Sequence, residues 1–178
     1  MLDALDIAIN AAFAPWRQGL LLAGFAWLTD MASESSAVAV ALVASALLWS
    51  GGRAARVGPL WLTLTGAEAT TWTLKFAAGR LRPPHLDGIE AASASFPSGH
   101  ATVAVALFGY LALVVAADAP RHRRAVLACA GIWIALIGFS RMFLSLHYLT
   151  DVLAGYAIAA AWLWFGWRIS ARRVARAG

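Results

Sequence analysis

The sequence predicts an all-α protein, a polytopic membrane helical bundle of about five transmembrane helices with amphipathic or interfacial helices at its N-terminus. Of its 178 residues, 61% are hydrophobic and only 13% are charged, whereas soluble domains contain about 25% charged residues. Several apolar runs approach the roughly 20 residues that a helix needs to cross a bilayer. We expect residues 1–178 to form a single integral-membrane domain, with little chain left over for a soluble one.

The positions of the basic residues support a membrane topology. Most of them fall in three short segments, at 53–56, 121–124 and 168–176, which alternate with the apolar runs. Cytoplasmic loops carry such an excess of Arg and Lys, so the net charge of +5 indicates orientation rather than nucleic-acid binding. Four other cations fall on the extracytoplasmic side, which indicates an anionic partner there: Lys75, Arg80, Arg82 and Arg141.

Residues 1–30 are predicted to form interfacial helices. Apolar residues recur at helical spacing over 2–14, as in an amphipathic helix, and Pro15 ends the pattern. Residues 18–29 are apolar but too short to span a bilayer comfortably. We expect two helices that lie in the interface or insert partly, with a true first span as the alternative.

Five segments are predicted to form a transmembrane core over 34–168: 34–50, 57–75, 98–117, 125–142 and 147–168. The second is rich in threonine and contains Glu68, so its polar side chains should face other helices, with Glu68 hydrogen-bonded inside the bundle. The apolar pattern stops over 80–97, which we predict to be a loop. The Arg-rich segment 169–178 is expected to be a frayed cytoplasmic tail.

Two polar clusters flank the predicted loop. Lys75 and Arg82, held by Pro83, can converge on one phosphate, because Arg supplies a planar fork and Lys a point charge; anchoring to lipid headgroups is the alternative. In Pro97-Ser98-Gly99-His100, Ser98 can cap the next helix and leave amides free for an anion. His100 can donate a proton to a leaving oxygen, although a capped helix with a surface histidine explains the same pattern.

Other polar residues of the loop carry weaker predictions. Arg80 is expected to be a solvated loop arginine, with contact to a second phosphate or a headgroup as the alternative. His85 is expected to be an exposed loop histidine.

A third cluster occupies Ser140 to Asp151. If the chain is helical from residue 147, His147 and Asp151 share a face. The carboxylate can then hold one imidazole nitrogen and leave the other aimed at a substrate. Arg141, across a short turn, can bind the same phosphate. A helix-start histidine bonded to a nearby aspartate is the alternative.

In this order, the three clusters resemble the signature of the type 2 phosphatidic acid phosphatase (PAP2) superfamily. The resemblance covers about residues 34–168, and the membrane spans indicate the bacterial lipid-phosphatase branch. Members of that branch commonly have one span more than the five expected here. Every signature position is present: Lys75, Arg82 and Pro83; Pro97, Ser98, Gly99 and His100; Ser140, Arg141, His147 and Asp151.

The resemblance implies a role for each site residue. His147 would be the nucleophile that forms a phosphohistidine, and Asp151 would fix its tautomer. His100 would protonate the leaving lipid oxygen and then activate water. The phosphoryl oxygens would be bound by Lys75, Arg82, Ser98, Gly99 and Arg141.

The function expected from this resemblance is hydrolysis of a lipid phosphate or diphosphate at a bacterial inner membrane, with the active site facing the periplasm. Undecaprenyl diphosphate is the favoured substrate, followed by phosphatidylglycerol phosphate or phosphatidic acid. A lipid phosphotransferase and a non-catalytic lipid-phosphate binding or transport component are the alternatives. No Asp, Glu and His set has the spacing of a Mg²⁺ site, so we expect neither a metal nor another cofactor.

Overall fold

The computed structural model describes residues 2–84 and 93–177. Within these ranges the chain is helical and contains no strand, which confirms the predicted all-α class. His85 and most of the loop predicted over 80–97 lie outside the described residues. The helices are α1 (Leu2–Phe13), α2 (Gly19–Asp30), α3 (Glu34–Ser50), α4 (Val57–Ala78), α5 (Gly99–Asp118, π-helical over Ala104–Gly109), α6 (Arg123–Phe143) and α7 (Leu149–Ala177).

Among the described residues, three helices, or four spans if a bent pair counts as one, are long and apolar enough to cross a bilayer, where the sequence predicts about five. By length and apolarity, α5, α6 and α7 qualify alone, and α2 with α3 qualifies as a pair bent by 50°. Helix α4 has 22 residues but carries Glu68, Lys75 and several threonines. It packs between α3, α5 and α7, where Thr71 and Thr70 bond side chains of α5 and α7. Thr65 and Thr73 are exposed and donate to carbonyl oxygens of α4 itself.

Helices α4, α5 and α7 form the centre of the bundle. Leu60, Leu107 and Tyr110 are fully buried there. Thr71 of α4 and Thr102 of α5 share a hydrogen bond of 3.0 Å between their hydroxyl oxygens. This contact lies close to the start of α5 and so helps to fix where that helix begins.

Helix α1 faces the bundle with its polar side. Asp6 is only 2% exposed, whereas Leu5 and Ile7 are at least half exposed. The Arg17 side chain, just before α2, donates to the carbonyl oxygens of Phe143 and Met142 at the end of α6. The predicted N-terminal helices are present, and they are docked onto the turn between α6 and α7 by polar contacts that an interfacial placement does not explain.

The Arg-rich C-terminal segment is helical rather than frayed, because α7 continues to Ala177. Ser170 is 1% exposed and interacts with Tyr110 of α5. Residues 171–176 beyond Ser170 are exposed, so the packing of α7 onto the bundle ends near Ser170 and the tail extends it as an exposed helix.

Gly155 of α7 makes a close approach that positions the start of α5. A Cβ added at Gly155 would lie 2.6 Å from the Ser98 carbonyl oxygen and 3.0 Å from the Thr102 hydroxyl. We expect Gly155→Ala to lower the free energy of unfolding by about 1–3 kcal/mol, because the backbone must shift. A fall in the Tm of the detergent-solubilised protein, about 2–4 °C per kcal/mol, measures this effect.

Gly131→Ala is the matched control. Gly131 is exposed on α6, and no heavy atom lies within 4 Å of an added Cβ. Alanine is the better helix former, so Tm should stay level or rise. Equal Tm values for the Gly155→Ala variant and the wild type would show that the close approach is unimportant.

Candidate active site

The polar clusters meet at one end of the bundle, where α4 ends, α5 begins and the turn between α6 and α7 lies. Lys75 is in the last turn of α4, and His100 is in the first turn of α5. His147 lies in the turn, with its amide bonded to the Arg141 carbonyl oxygen at 3.2 Å. Residues separated by more than 70 positions in the sequence therefore share one site.

His147 is held between an arginine and a carboxylate. Its Nε2 lies 3.2 Å from Arg82 Nη1, and its Nδ1 lies 3.6 Å from Asp151 Oδ2, beyond normal hydrogen-bond length. This geometry assigns the proton to Nδ1 and the lone pair to Nε2. Burial lowers the pKa of His147 to about 3, and nearby Arg141 and Arg82 lower it as well, although Asp151 acts in the opposite direction. The imidazole is therefore neutral near pH 7, as a nucleophile must be.

Asp151 is fully buried and saturated with donors. Its Oδ2 accepts the Tyr148 amide at 2.8 Å and the Ser95 hydroxyl. Its Oδ1 accepts Arg80 Nη1 at 2.7 Å. These bonds fix the plane of the carboxylate and direct Oδ2 toward His147.

Three cations, including the Arg82 that contacts His147, surround the histidine without a carboxylate partner among the described residues. Lys75 Nζ donates to the Ala94 carbonyl oxygen at 2.7 Å, Arg82 Nη1 to that of Leu146 at 2.7 Å, and Arg141 Nη1 to the Thr29 hydroxyl at 2.8 Å. Within the described ranges, none of the three lies within ion-pair distance of an Asp or Glu. Since desolvated charges need compensation, this cluster is suited to bind an anion.

The start of α5 differs in one respect from the predicted anion site. Ser98 caps the helix, since its hydroxyl accepts the Ala101 amide, but its own amide donates to the Asp151 carbonyl oxygen at 3.0 Å. The Ser98 amide is therefore not free for phosphate. The amides of Gly99 and His100 have no such partner among the described residues, and an added Cβ at Gly99 would meet open space.

His100 is half-buried beside the cation cluster. It lies close enough to His147, Arg141, Arg82 and Lys75 to interact electrostatically with them. The fold thus brings the second histidine next to the cation cluster.

Two predictions about polar residues near the site are wrong. Arg80 is not a solvated loop residue, because it bonds the carboxylates of Asp6 and Asp151. Glu68 is not hydrogen-bonded through Oε1 to any residue that the structure describes. Its side chain instead lines a cavity of about 220 Å³ with Glu34 and Trp72, between α3 and α4.

The PAP2 superfamily model matches residues 56–175, which is more than half of the chain. The chain belongs to the PAP2 superfamily. Two solved structures share its fold. A transmembrane PAP2-type phosphatidylglycerolphosphate phosphatase from Bacillus subtilis superposes with a TM-score of 0.90 at 23% identity, over 96% of this chain and 86% of that one. LpxE from Aquifex aeolicus superposes with a TM-score of 0.69 at 20% identity, over 92% and 95%.

Curated relatives of this PAP2 protein act on lipid phosphates. Lipid A 1-phosphatase from Rhizobium johnstonii is 37% identical over 116 residues, 60% of this chain and 43% of the relative. Phosphatidylglycerophosphatase B from Bacillus subtilis is 34% identical over 82 residues, 44% of this chain and 40% of the relative. The chain thus spans about two fifths of the length of these relatives.

The PAP2 signature residues are joined at the site by residues that sequence reasoning did not single out. Ser95 and Asp6 belong to this group, as does Thr29, which receives the Arg141 guanidinium. A signal was present for Asp6, because Asp6 and Asn10 are four residues apart on a mostly apolar helix and therefore share a face.

Among the residues that the structure describes, no three His, Cys, Asp or Glu side chains come together as metal ligands. The donors around His147 are cations and amides, which suit phosphate oxygens rather than a cation.

Proposed function

We propose that this PAP2 protein is a membrane lipid phosphatase that hydrolyses a lipid phosphate or diphosphate through a phosphohistidine on His147. One observation carries the proposal: three buried or half-buried cations, Lys75, Arg82 and Arg141, surround a neutral histidine and have no carboxylate partner among the described residues. A phosphoryl group supplies the missing negative charge, and the neutral imidazole supplies the nucleophile.

In the first half-reaction, the cations and the Gly99 and His100 amides bind the phosphoryl oxygens. His147 Nε2 attacks phosphorus as the bond to the lipid oxygen breaks, and His100, protonated in the complex with the anionic substrate, donates its proton to that oxygen. Asp151 stabilises the positive charge that develops on the His147 ring. Phosphoryl transfer depends mostly on such positioning and charge stabilisation, which this set of residues supplies.

In the second half-reaction, neutral His100 takes a proton from water. The water oxygen attacks the phosphohistidine, the bond between phosphorus and Nε2 breaks, and inorganic phosphate leaves with His147 neutral again. The same His100 acts as acid and then as base, so the cycle returns both histidines to their starting states.

A lipid substrate is supported by the position of the site at the ends of apolar helices and by the named activities of the relatives. We place the protein in the bacterial inner membrane with the site on the periplasmic side, because the basic turns at 53–56 and 121–124 occupy the opposite end of the bundle. Undecaprenyl diphosphate stays the predicted substrate. The alternative substrates are phosphatidylglycerol phosphate, phosphatidic acid and, from the names of the relatives, lipid A 1-phosphate.

The test is a side-by-side turnover panel of these four lipids with purified protein in detergent, with phosphate release as the readout. We expect at least one lipid to turn over and EDTA to leave its rate unchanged, because the cations and amides do the work of a metal. Loss of activity in EDTA that Mg²⁺ restores would contradict the metal-independent mechanism. Binding of a lipid without release of phosphate from any of the four lipids would contradict the proposed phosphatase activity.

A further inference from the structure

Asp6 of α1 is buried at the start of α7, far from it in the sequence. Its Oδ1 accepts the Thr150 amide at 3.2 Å, and its Oδ2 accepts the Thr150 hydroxyl. A carboxylate in the first turn of a helix satisfies a free amide and interacts favourably with the helix dipole. Asp6 is thus a cap supplied to α7 by another helix, one turn from His147.

Arg80 links this cap to the active-site carboxylate. Its Nη2 lies 3.0 Å from Asp6 Oδ2, and its Nη1 lies 2.7 Å from both Asp151 Oδ1 and the Thr150 hydroxyl. The guanidinium carbon also stacks 4.3 Å from the centre of the Tyr148 ring. A planar fork can bridge two carboxylates in this way, whereas a single ammonium cannot hold both with the same geometry.

We propose that Asp6 and Arg80 are positioning residues, which act through Asp151 to orient His147 for attack on phosphorus. The inference rests on the proposed function. It goes beyond the family signature, since Arg80 is not a signature position and Asp6 lies outside residues 56–175 matched by the family model.

The geometry separates this role from phosphate binding. Both terminal nitrogens of Arg80 are engaged by carboxylate oxygens, whereas Lys75, Arg82 and Arg141 have no carboxylate partner among the described residues. Arg80 fixes Oδ1 of Asp151, so that Oδ2 is the oxygen that faces His147 Nδ1. Without Arg80, a buried carboxylate oxygen loses its charged donor, and the carboxylate can rotate away from the imidazole.

The test compares Arg80→Gln, Asp6→Asn and Arg80→Lys by kcat, KM and Tm, with a lipid phosphate that the wild type hydrolyses. We expect Arg80→Gln to lower kcat about 10- to 100-fold, as removal of orienting outer groups typically does, with KM nearly unchanged. Asp6→Asn should lower kcat less. Arg80→Lys should recover part of the loss, because it keeps the charge without the fork.

Asp118→Asn is the matched control for simple loss of an ion pair. Asp118 pairs with Arg53 and Arg56 at the opposite end of α5. The Tm of its variant should therefore fall, while kcat should stay at the wild-type level. The double variant of Asp6→Asn and Arg80→Gln should lose much less than the product of the single losses, because both act through one contact. A raised KM at constant kcat, or full kcat in Arg80→Gln, would overturn the inference.

A second readout does not depend on turnover. In protein labelled with ¹⁵N-histidine, the His147 signals are assigned by their absence from His147→Gln. We expect the Nδ1 chemical shift to change in Arg80→Gln and Asp6→Asn but not in Asp118→Asn; an unchanged shift in all three would overturn the inference. An inactive wild type with the expected shifts would instead contradict the proposed function alone.

Discussion

Replacement of His147 by glutamine is expected to abolish phosphate release, with a loss of roughly three to six orders of magnitude in kcat. The residue is 2% exposed and neutral, and its Nε2 faces Arg82. Glutamine keeps a polar side chain in the turn but cannot form the phosphohistidine or carry its positive charge. The measurement is phosphate release by purified variant and wild type at equal concentration.

His122→Gln is the matched control for the His147 substitution. His122 is exposed in the short turn before α6, at the opposite end of the bundle from the site. Its variant should keep wild-type turnover and Tm. Turnover near the wild-type level in a folded His147→Gln protein would exclude His147 as the nucleophile.

Replacement of His100 by glutamine is expected to lower kcat by about 10²- to 10⁴-fold with a lipid phosphate, because the leaving alkoxide loses its proton donor. An aryl phosphate with an acyl chain on its ring tests the role of His100 as proton donor, because a phenolate leaves without protonation. With that substrate we expect a fast burst of phenol, close to one equivalent per enzyme, followed by slow turnover. The slow phase reflects hydrolysis of the phosphohistidine without its general base.

A role of His100 in phosphate binding alone predicts a different result. The burst and the later turnover would then slow together for both substrates. Quenched-flow measurement of phenol and phosphate separates the two half-reactions and so decides between these roles. The wild type, in which both steps are assisted, provides the reference rates.

The local sequence pattern was sufficient to predict helices and to recognise the family signature. The segment predicted at 34–50 has the bounds of α3, Glu34–Ser50, since a polar cap at Ser33 and the glycines after Ser50 mark its ends. The chain is not helical from residue 147, because α7 begins at Leu149, but the turn before the helix still brings His147 Nδ1 to 3.6 Å from Asp151 Oδ2. In both cases the deciding interactions lie within a few residues.

The errors arise where contacts join distant parts of the chain. Arg80 appeared solvated because its partner Asp6 is 74 residues away, and no local periodicity encodes that approach. The Ser98 amide is engaged because Gly155 lets α7 come close enough for the Asp151 carbonyl to reach it. The polarity of α4 predicted helix neighbours correctly for Thr70 and Thr71, but Thr65 and Thr73 are exposed and bond carbonyl oxygens of their own helix.

Direct detection of the covalent intermediate tests the central claim, that His147 attacks phosphorus. Enzyme mixed with ³²P-labelled lipid phosphate and quenched in alkali should carry an acid-labile, alkali-stable label on the peptide that contains His147. The label should persist longest in His100→Gln and be absent from His147→Gln. Label on another residue, or phosphate release with inversion at phosphorus and no labelled protein, would contradict the mechanism.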